Sequence, residues 1–231
     1  MRFKNSSKKK IDKNFSDIIF FLRKKNIKYW VCHGTLLGII RDSNILPWDN
    51  DIDIAIINNE FNKKVIEKYL LKRKFTKKKK FFIDDNLLTA KRVGGKEIDI
   101  NFYNFSKDCK NVHTIWYVPK NFLMKFIDVV SKANKYSGKY SLIIRNLSYL
   151  KNFFLFIKKI LIIKNIFYIK AGYSHPAKYI NKIKKINFFD LQVDIPFYYK
   201  EYLRNLYGVN WKIPNKNYNW IKDSPATKFF K

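Results

Sequence analysis

His33-Gly34-Thr35-Leu36-Leu37-Gly38-Ile39-Ile40-Arg41, followed by Asp49-Asn50-Asp51-Ile52-Asp53-Ile54-Ala55-Ile56-Ile57, is the stretch on which the fold turns. Residues 27–32 before it read as a strand. Gly34-Thr35 then turns the chain into a short helix over 36–41, and 42–50, with Pro47 and Trp48, is a loop. The run Asp51–Ile57 is β-branched and alternating, the signature of a strand. Strand period two places Asp51 and Asp53 on one face and Ile52 and Ile54 on the other.

Working outward, Phe15, Ile18, Ile19 and Leu22 recur at helical spacing and predict an amphipathic helix over 11–26. A second helix is predicted over 60–74, with Phe61, Val65, Ile66 and Tyr69 inward. The lysines of 77–80 read as a solvated loop. Residues 87–93 and 97–103 flank Gly94-Gly95, which predicts a hairpin with a two-residue turn. On its second strand Glu97, Asp99 and Asn101 share a face. Further on, 121–135, 142–168 and 178–185 read as helical, and 188–231 as short elements and loops around Pro196, Pro214 and Pro225. The expected fold is α/β (α+β): a core over 1–110 with a small mixed sheet, then a basic, mainly helical accessory region over 111–231 ending in an aromatic tail.

Composition limits the function classes. The 231 residues carry 48 Lys+Arg against 18 Asp+Glu, a formal charge of +30, yet 47% are hydrophobic and 18% aromatic. That is enough apolar material for a core and excludes general disorder. The longest uncharged run is twelve residues, 29–40, and a membrane-spanning helix needs about 20. The basic start has no apolar stretch behind it to form a signal peptide. Cys32 and Cys109 give no disulfide framework, which fits a reducing cytoplasm. AT-rich codon usage favours Lys, Asn, Ile, Phe and Tyr but does not explain their placement. Residues 129–189 contain no Asp or Glu and 13 Lys+Arg.

Were the two acidic strands neighbours, Asp51, Asp53 and Asp99 would converge. Two carboxylates about 4 Å apart repel by ~4 kcal/mol at an effective dielectric of 20. Such a group calls for protonation or a divalent cation, and hard oxygen ligands suit Mg²⁺ or Mn²⁺. Metal-assisted phosphoryl transfer is the natural use. Gly34 and Thr35, opening a helix after a strand, offer N–H groups and a hydroxyl to phosphate, and Arg41 a guanidinium fork. The strand–Gly-Thr–helix, the Asp-x-Asp strand and the later Asp, in that order, form a nucleotidyltransferase arrangement. Asp49, Asp51, Asp53 and Glu60 also match an EF-hand spacing, but Ile54 stands where the loop needs Gly. Cys32, His33, Cys109 and His113 lack the paired spacing of a structural zinc site. The cysteines read as small buried hydrophobes and His175 as a surface residue.

The quoted stretch from His33 to Ile54, together with Glu97-Ile98-Asp99-Ile100 and Tyr202-Leu203 … Tyr207-Gly208-Val209-Asn210-Trp211 … Pro214, resembles the LicD/fukutin family signature. Asn50 departs from it, since Asp is usual there. The resemblance implies a nucleotidyltransferase-like fold and a phosphotransferase of the LicD type. It implies that Asp51, Asp53 and Asp99 hold Mg²⁺ (or Mn²⁺) against the pyrophosphate of a CDP-activated donor, with Gly34, Thr35 and Arg41 on phosphates. Asp49 would support the metal site or position the acceptor. The reaction so implied moves phosphocholine or a similar phospho-alcohol, such as ribitol phosphate, to a hydroxyl of a surface glycan: lipopolysaccharide, teichoic acid, capsule or a lipid-linked glycan. Nucleotidyl transfer to a small molecule, sugar or RNA is the alternative within the superfamily. A charge-driven nucleic-acid or membrane binder is the alternative outside it, disfavoured because it has no use for convergent aspartates. Residues 153–170 read either as a core helix with a basic stripe or as an interfacial helix on anionic lipid. The expected location is cytoplasmic, with peripheral contact at the inner membrane surface under the second reading.

Overall fold

A computed structural model describes residues 11–80, 85–133 and 141–230. They form two compact units. One contains 11–80, 85–115 and 172–228; the other contains 116–133, 141–171 and 229–230.

In the first unit, α1 (Lys13–Lys24) begins where the Asp12 carboxylate accepts hydrogen bonds from the N–H groups of Asn14 and Phe15. Its buried stripe is Phe15, Ile18, Ile19, Phe21 and Leu22. Strand β1 (Trp30–Val31) is shorter than expected, since only Trp30 and Val31 pair with β2 (Asp51–Ile57). Between them α2 spans His33–Asp42, starting earlier than expected at His33 itself, whose φ is +48°. Next come α3 (Glu60–Lys72), β3 (Thr76–Lys78), β4 (Leu87–Lys91) and β5 (Glu97–Phe105).

The central strand is β5. Along one edge β2 runs parallel to it, with Asp51 opposite Glu97 and Asp53 opposite Asp99. Along the other edge lie β4, antiparallel with Thr89 opposite Asp99, and then β6 (Asn111–Pro119), with Asn104 opposite His113. β7 (Tyr168–Pro176) and β10 (Thr227–Phe230) complete the order β1-β2-β5-β6-β7-β10, with β3 on β4. The mixed sheet of the expected α/β class is present, and it is larger than a small sheet.

Several local readings are corrected. The β4–β5 hairpin turns through five residues, 92–96, rather than two, because the last pair is Ala90 with Ile98 and Lys91 faces Glu97. Buried Asn14 donates to the carbonyls of Arg92 and Lys96, each at 2.9 Å, and Asp12 accepts from the Lys96 N–H at 2.8 Å. A Cβ on Gly95 would lie 2.6 Å from Asn14 Cγ, so this glycine serves close approach to α1. Residues 77–80 are a solvated loop only in part: 77–79 are exposed, but 77 and 78 belong to a strand and Lys80 is half-buried. Lys77 and Lys78 lie on β3, paired with Glu67 (2.7 Å) and Glu97, and Lys80 follows on the same side as Lys78.

Residues 178–185 are not helical either. A 3₁₀ turn at Ala177–Tyr179 leads into β8 (Ile183–Phe188), which makes an antiparallel ribbon with β9 (Leu191–Pro196). Ile180, Ile183 and Ile186 recur at three, and that spacing imitates a helix. The chain then forms α7 (Tyr199–Tyr207), with Tyr202, Leu203 and Leu206 buried, and short α8 (Trp220–Asp223).

A boundary at residue 110 therefore differs from the structural division, because 172–228 belongs to the first unit. Gly172 packs on the Thr114 backbone so closely that a Cβ would lie 1.8 Å from its carbonyl oxygen. The Ser174 N–H donates to the Ala226 carbonyl at 2.9 Å. His175 is buried, not on the surface; its Nδ1 lies 2.7 Å from Asn205 Oδ1 and its ring 4.4 Å from that of Tyr202. Cys32 is buried as expected, but Cys109 is exposed on a turn.

The second unit contains α4 (Phe122–Val130), α5 (Ser141–Asn146) and α6 (Lys151–Ile163), with a 3₁₀ turn at Ser148–Leu150 between the last two. The single helix expected over 142–168 is thus broken at its start and ends at Ile163, before β7. The end of the helix expected over 121–135 lies outside the described residues. Among the described residues, no helix is long and apolar enough to cross a membrane.

Candidate active site

The parallel register of β2 on β5 brings the acids together. Asp51, Glu97 and Asp99 each offer a carboxylate oxygen, and these three atoms lie within 4.8 Å of one another. The Lys80 ammonium sits among them, 2.6 Å from Asp51 Oδ2, 2.5 Å from Asp99 Oδ2 and 3.4 Å from Glu97 Oε1. Asp99 Oδ1 accepts a hydrogen bond from the Thr89 hydroxyl at 2.6 Å. Burial chiefly pushes the Asp99 carboxyl up to about 7, with Asp53 adding to it while Lys80 pulls the other way. Burial opposes charge on Lys80 too, but Asp99 and Asp51 outweigh it and hold the ammonium above the ordinary lysine range.

The Lys80 ammonium is thus accommodated between three carboxylates. The oxygens of Asp51, Glu97 and Asp99 form a cluster that could hold a metal ion. Asp51 and Asp99 were expected there. Glu97 was passed over, although its position two residues before Asp99 on the same strand face was legible.

Asp53 stands beside the cluster on the same strand face and has partners of its own. Its Oδ1 accepts from Asn101 Nδ2 at 3.2 Å and lies 3.3 Å from His33 Nδ1. His33 Nε2 in turn lies 2.9 Å from the Tyr103 hydroxyl. Thr35 is buried, and its hydroxyl accepts from the Asp53 N–H at 2.8 Å, which ties α2 to β2. Gly34 carries no Cβ for a visible reason: one placed there would meet Asp49 Oδ2 at 2.2 Å. At Gly38 a Cβ would lie 2.5 Å from the Asn44 carbonyl oxygen, so the 42–50 loop folds tightly over α2.

A cleft of about 370 Å³ opens beside Gly34 and Asp49. Arg41, Trp48, Tyr207, Asn210, Trp211, Lys216 and Tyr218 line it. The Arg41 guanidinium pairs with Asp42, Nε–Oδ1 at 2.7 Å and Nη2–Oδ2 at 2.8 Å, and lies 5.9 Å from the Trp48 ring centre. Lys216 Nζ approaches the same ring to 5.4 Å. Burial pushes the Asp49 carboxyl up to about 6, helped by the charges of Asp51 and Asp53. Asp49 therefore belongs both to the wall of the cleft and to the electrostatics of the acidic strands. Lys80 and Lys216 were not singled out from sequence, since nothing local distinguishes them from the other lysines.

Known proteins match parts or most of this chain. The family described as LicD/FKTN/FKRP, nucleotidyltransferase domain, matches residues 26–151, more than half of the chain. The ribitol-5-phosphate transferase FKTN of Macaca fascicularis is 23% identical over 210 residues, 88% of this chain and 33% of that protein. An uncharacterized protein of Rickettsia typhi is 41% identical over 61 residues, 26% of this chain and 20% of its own length. The chain thus spans a third or less of these relatives. Among solved structures, the lincomycin-bound lincosamide antibiotic adenylyltransferase LnuA is similar over 80% of each chain, at 13% identity and a TM-score of 0.42. By the match over 26–151, which takes in both acidic strands and the Gly34–Arg41 helix, the chain belongs to the LicD/FKTN/FKRP nucleotidyltransferase-domain family.

Proposed function

We propose that the protein is a metal-dependent phosphotransferase that moves a phospho-alcohol from a CDP-activated donor to a hydroxyl of a glycan. The observation that carries this reading is the convergence of Asp51, Glu97 and Asp99 around one cation position, next to a cleft lined by aromatic rings and two cations. Asp51, Glu97 and Asp99, with Asp53 behind them, would hold Mg²⁺ or Mn²⁺. Bound there, the ion would neutralise charge on the donor's pyrophosphate. Arg41 and Lys216 carry positive charge into the cleft and suit the donor's phosphates, while the N-terminal turn of α2 at Gly34 offers N–H groups. Trp48, Tyr207, Trp211 and Tyr218 suit the donor's head group: rings bind a quaternary ammonium by cation–π attraction, and Asn210 and Asp49 suit a polyol.

In this reading Asp49 takes the proton of the acceptor hydroxyl as its oxygen attacks phosphorus and the bond to the departing CMP breaks. A carboxylate held near pH 6 is matched to that task. Incubation with CDP-choline, CDP-ribitol or CTP, each with Mg²⁺, tests it. CMP release from a CDP-alcohol supports phospho-alcohol transfer. Pyrophosphate release from CTP would instead assign nucleotidyl transfer, which the same carboxylates would also serve. If no donor is bound or turned over, both readings fail.

A further inference from the structure

The helices of the second unit are turned inside out. On α6, Lys158 is buried, and among the described residues it is the one buried side chain of that helix. It pairs with Asp128 of α4 at 2.5 Å, while Phe154 meets Phe126 edge-on with ring centres 5.6 Å apart. Phe153, Phe156, Ile160 and Ile163 form a stripe at spacings of three and four on the opposite side, exposed by 59%, 63%, 38% and 80%. Phe122 and Leu123 on α4, and Leu142 and Ile143 on α5, are exposed as well. Isolated exposed apolar residues are ordinary; a stripe with similar residues on two further helices marks an interaction surface.

Charge names the occupant. Residues 116–171 carry eleven Lys and Arg and one acid, Asp128, already engaged by Lys158 and by Lys132 at 3.0 Å. Lys159 is exposed next to the stripe, and Lys151 and Lys164 stand at its two ends. A second copy of the chain docking here would set lysine against lysine. A surface that takes up apolar side chains and repays cations is an anionic lipid bilayer, with lysine stems lying along it and ammonium groups at the phosphates. We propose that the second unit rests on an anionic membrane through the Phe153–Phe156–Ile160–Ile163 stripe of α6, as a peripheral contact that does not span it.

Co-sedimentation of the full chain with vesicles tests this, using phosphatidylcholine alone and phosphatidylcholine mixed with phosphatidylglycerol. Binding is expected to the mixed vesicles, to weaken with salt and to be slight on phosphatidylcholine alone. The double substitution Phe156→Ser/Ile160→Ser keeps the net charge and is expected to lower partitioning by about tenfold or more. Lys159→Glu is expected to lower it by at least fivefold, roughly what removing one cation from the lipid surface costs. Unchanged thermal unfolding of these variants shows that the fold is intact. Binding indifferent to the serine substitutions would overturn the proposal in favour of adsorption by charge alone. So would a dimer in light scattering that the same substitutions dissolve, since the stripe would then belong to a second copy. Because the readout is lipid binding, its failure is separate from failure of CDP-alcohol turnover.

Discussion

At the scale of residues, the most informative side chain is a lysine inside an acidic cluster. Lys80 stands where three carboxylates would otherwise repel one another. Lys80→Met is expected to destabilise the chain by about 1–3 kcal/mol without divalent ions, since it leaves the acids uncompensated. Mg²⁺ should restore most of that loss. Thermal unfolding with Mg²⁺ and with chelator measures both, and a loss equal in the two conditions would argue against a cation site. Asp51→Asn and Asp99→Asn should each reduce turnover by about a hundredfold or more while leaving the fold intact, if these carboxylates hold the ion that stabilises the transferring phosphate. The pH profile follows from the raised carboxyls. Asp99 near 7 and Asp49 near 6 are protonated below those values, so activity should fall as pH drops from about 7 toward 5. Asp49→Asn should lose most of the rate, and the fall that remains should be the part set by Asp99.

At the scale of elements, long amphipathic patterns were legible and joints were not. Helix α1 and strand β2 follow directly from the spacing of Phe15, Ile18, Ile19 and Leu22 and from the alternation of Asp51–Ile57, because each buries one face locally. The 92–96 turn was misread because its length is decided by Asn14, 78 and 82 residues away from its two partners. Asn14→Ala leaves the Arg92 and Lys96 carbonyls without those donors, and the expected loss is about 1–3 kcal/mol. Chemical denaturation measures it, and a change below a few tenths would show that the hairpin does not need this anchor. The lysines of β3 were misread for a similar reason: their partners Glu67 and Glu97 come from other elements.

At the scale of the whole molecule, residues 172–228 return to complete the unit that the first hundred residues begin. Tyr202, Leu203 and Leu206 are fully buried there, so a chain cut after residue 171 should lose cooperative unfolding. Calorimetry reads this directly; a sharp transition in the truncated chain would refute it. His175 lies in the same returning segment. Burial lowers it to about 3, so the unfolded chain binds its proton from about pH 6.5 downward while the folded chain refuses it. Its contribution to stability is therefore intact above that pH and is lost at up to ~1.4 kcal/mol per pH unit as pH falls toward 3. His175→Phe should flatten that acid slope, measured as unfolding free energy against pH.

The sequence by itself determined the acidic strands, the helix that opens at Gly34-Thr35 and the family, because those depend on residue types at short fixed spacings. Two strand faces carrying acids at period two need only become neighbours to form a cation site. Only the tertiary structure decided that β2 and β5 are parallel and in register, which brings Glu97 opposite Asp51 and leaves Asp53 with His33 and Asn101. It alone placed Lys80 among the acids and gathered Trp48, Tyr207, Trp211 and Lys216 around one cleft. These are contacts between residues far apart in the chain, fixed by which apolar faces bury one another. No local pattern encodes a partner on another element.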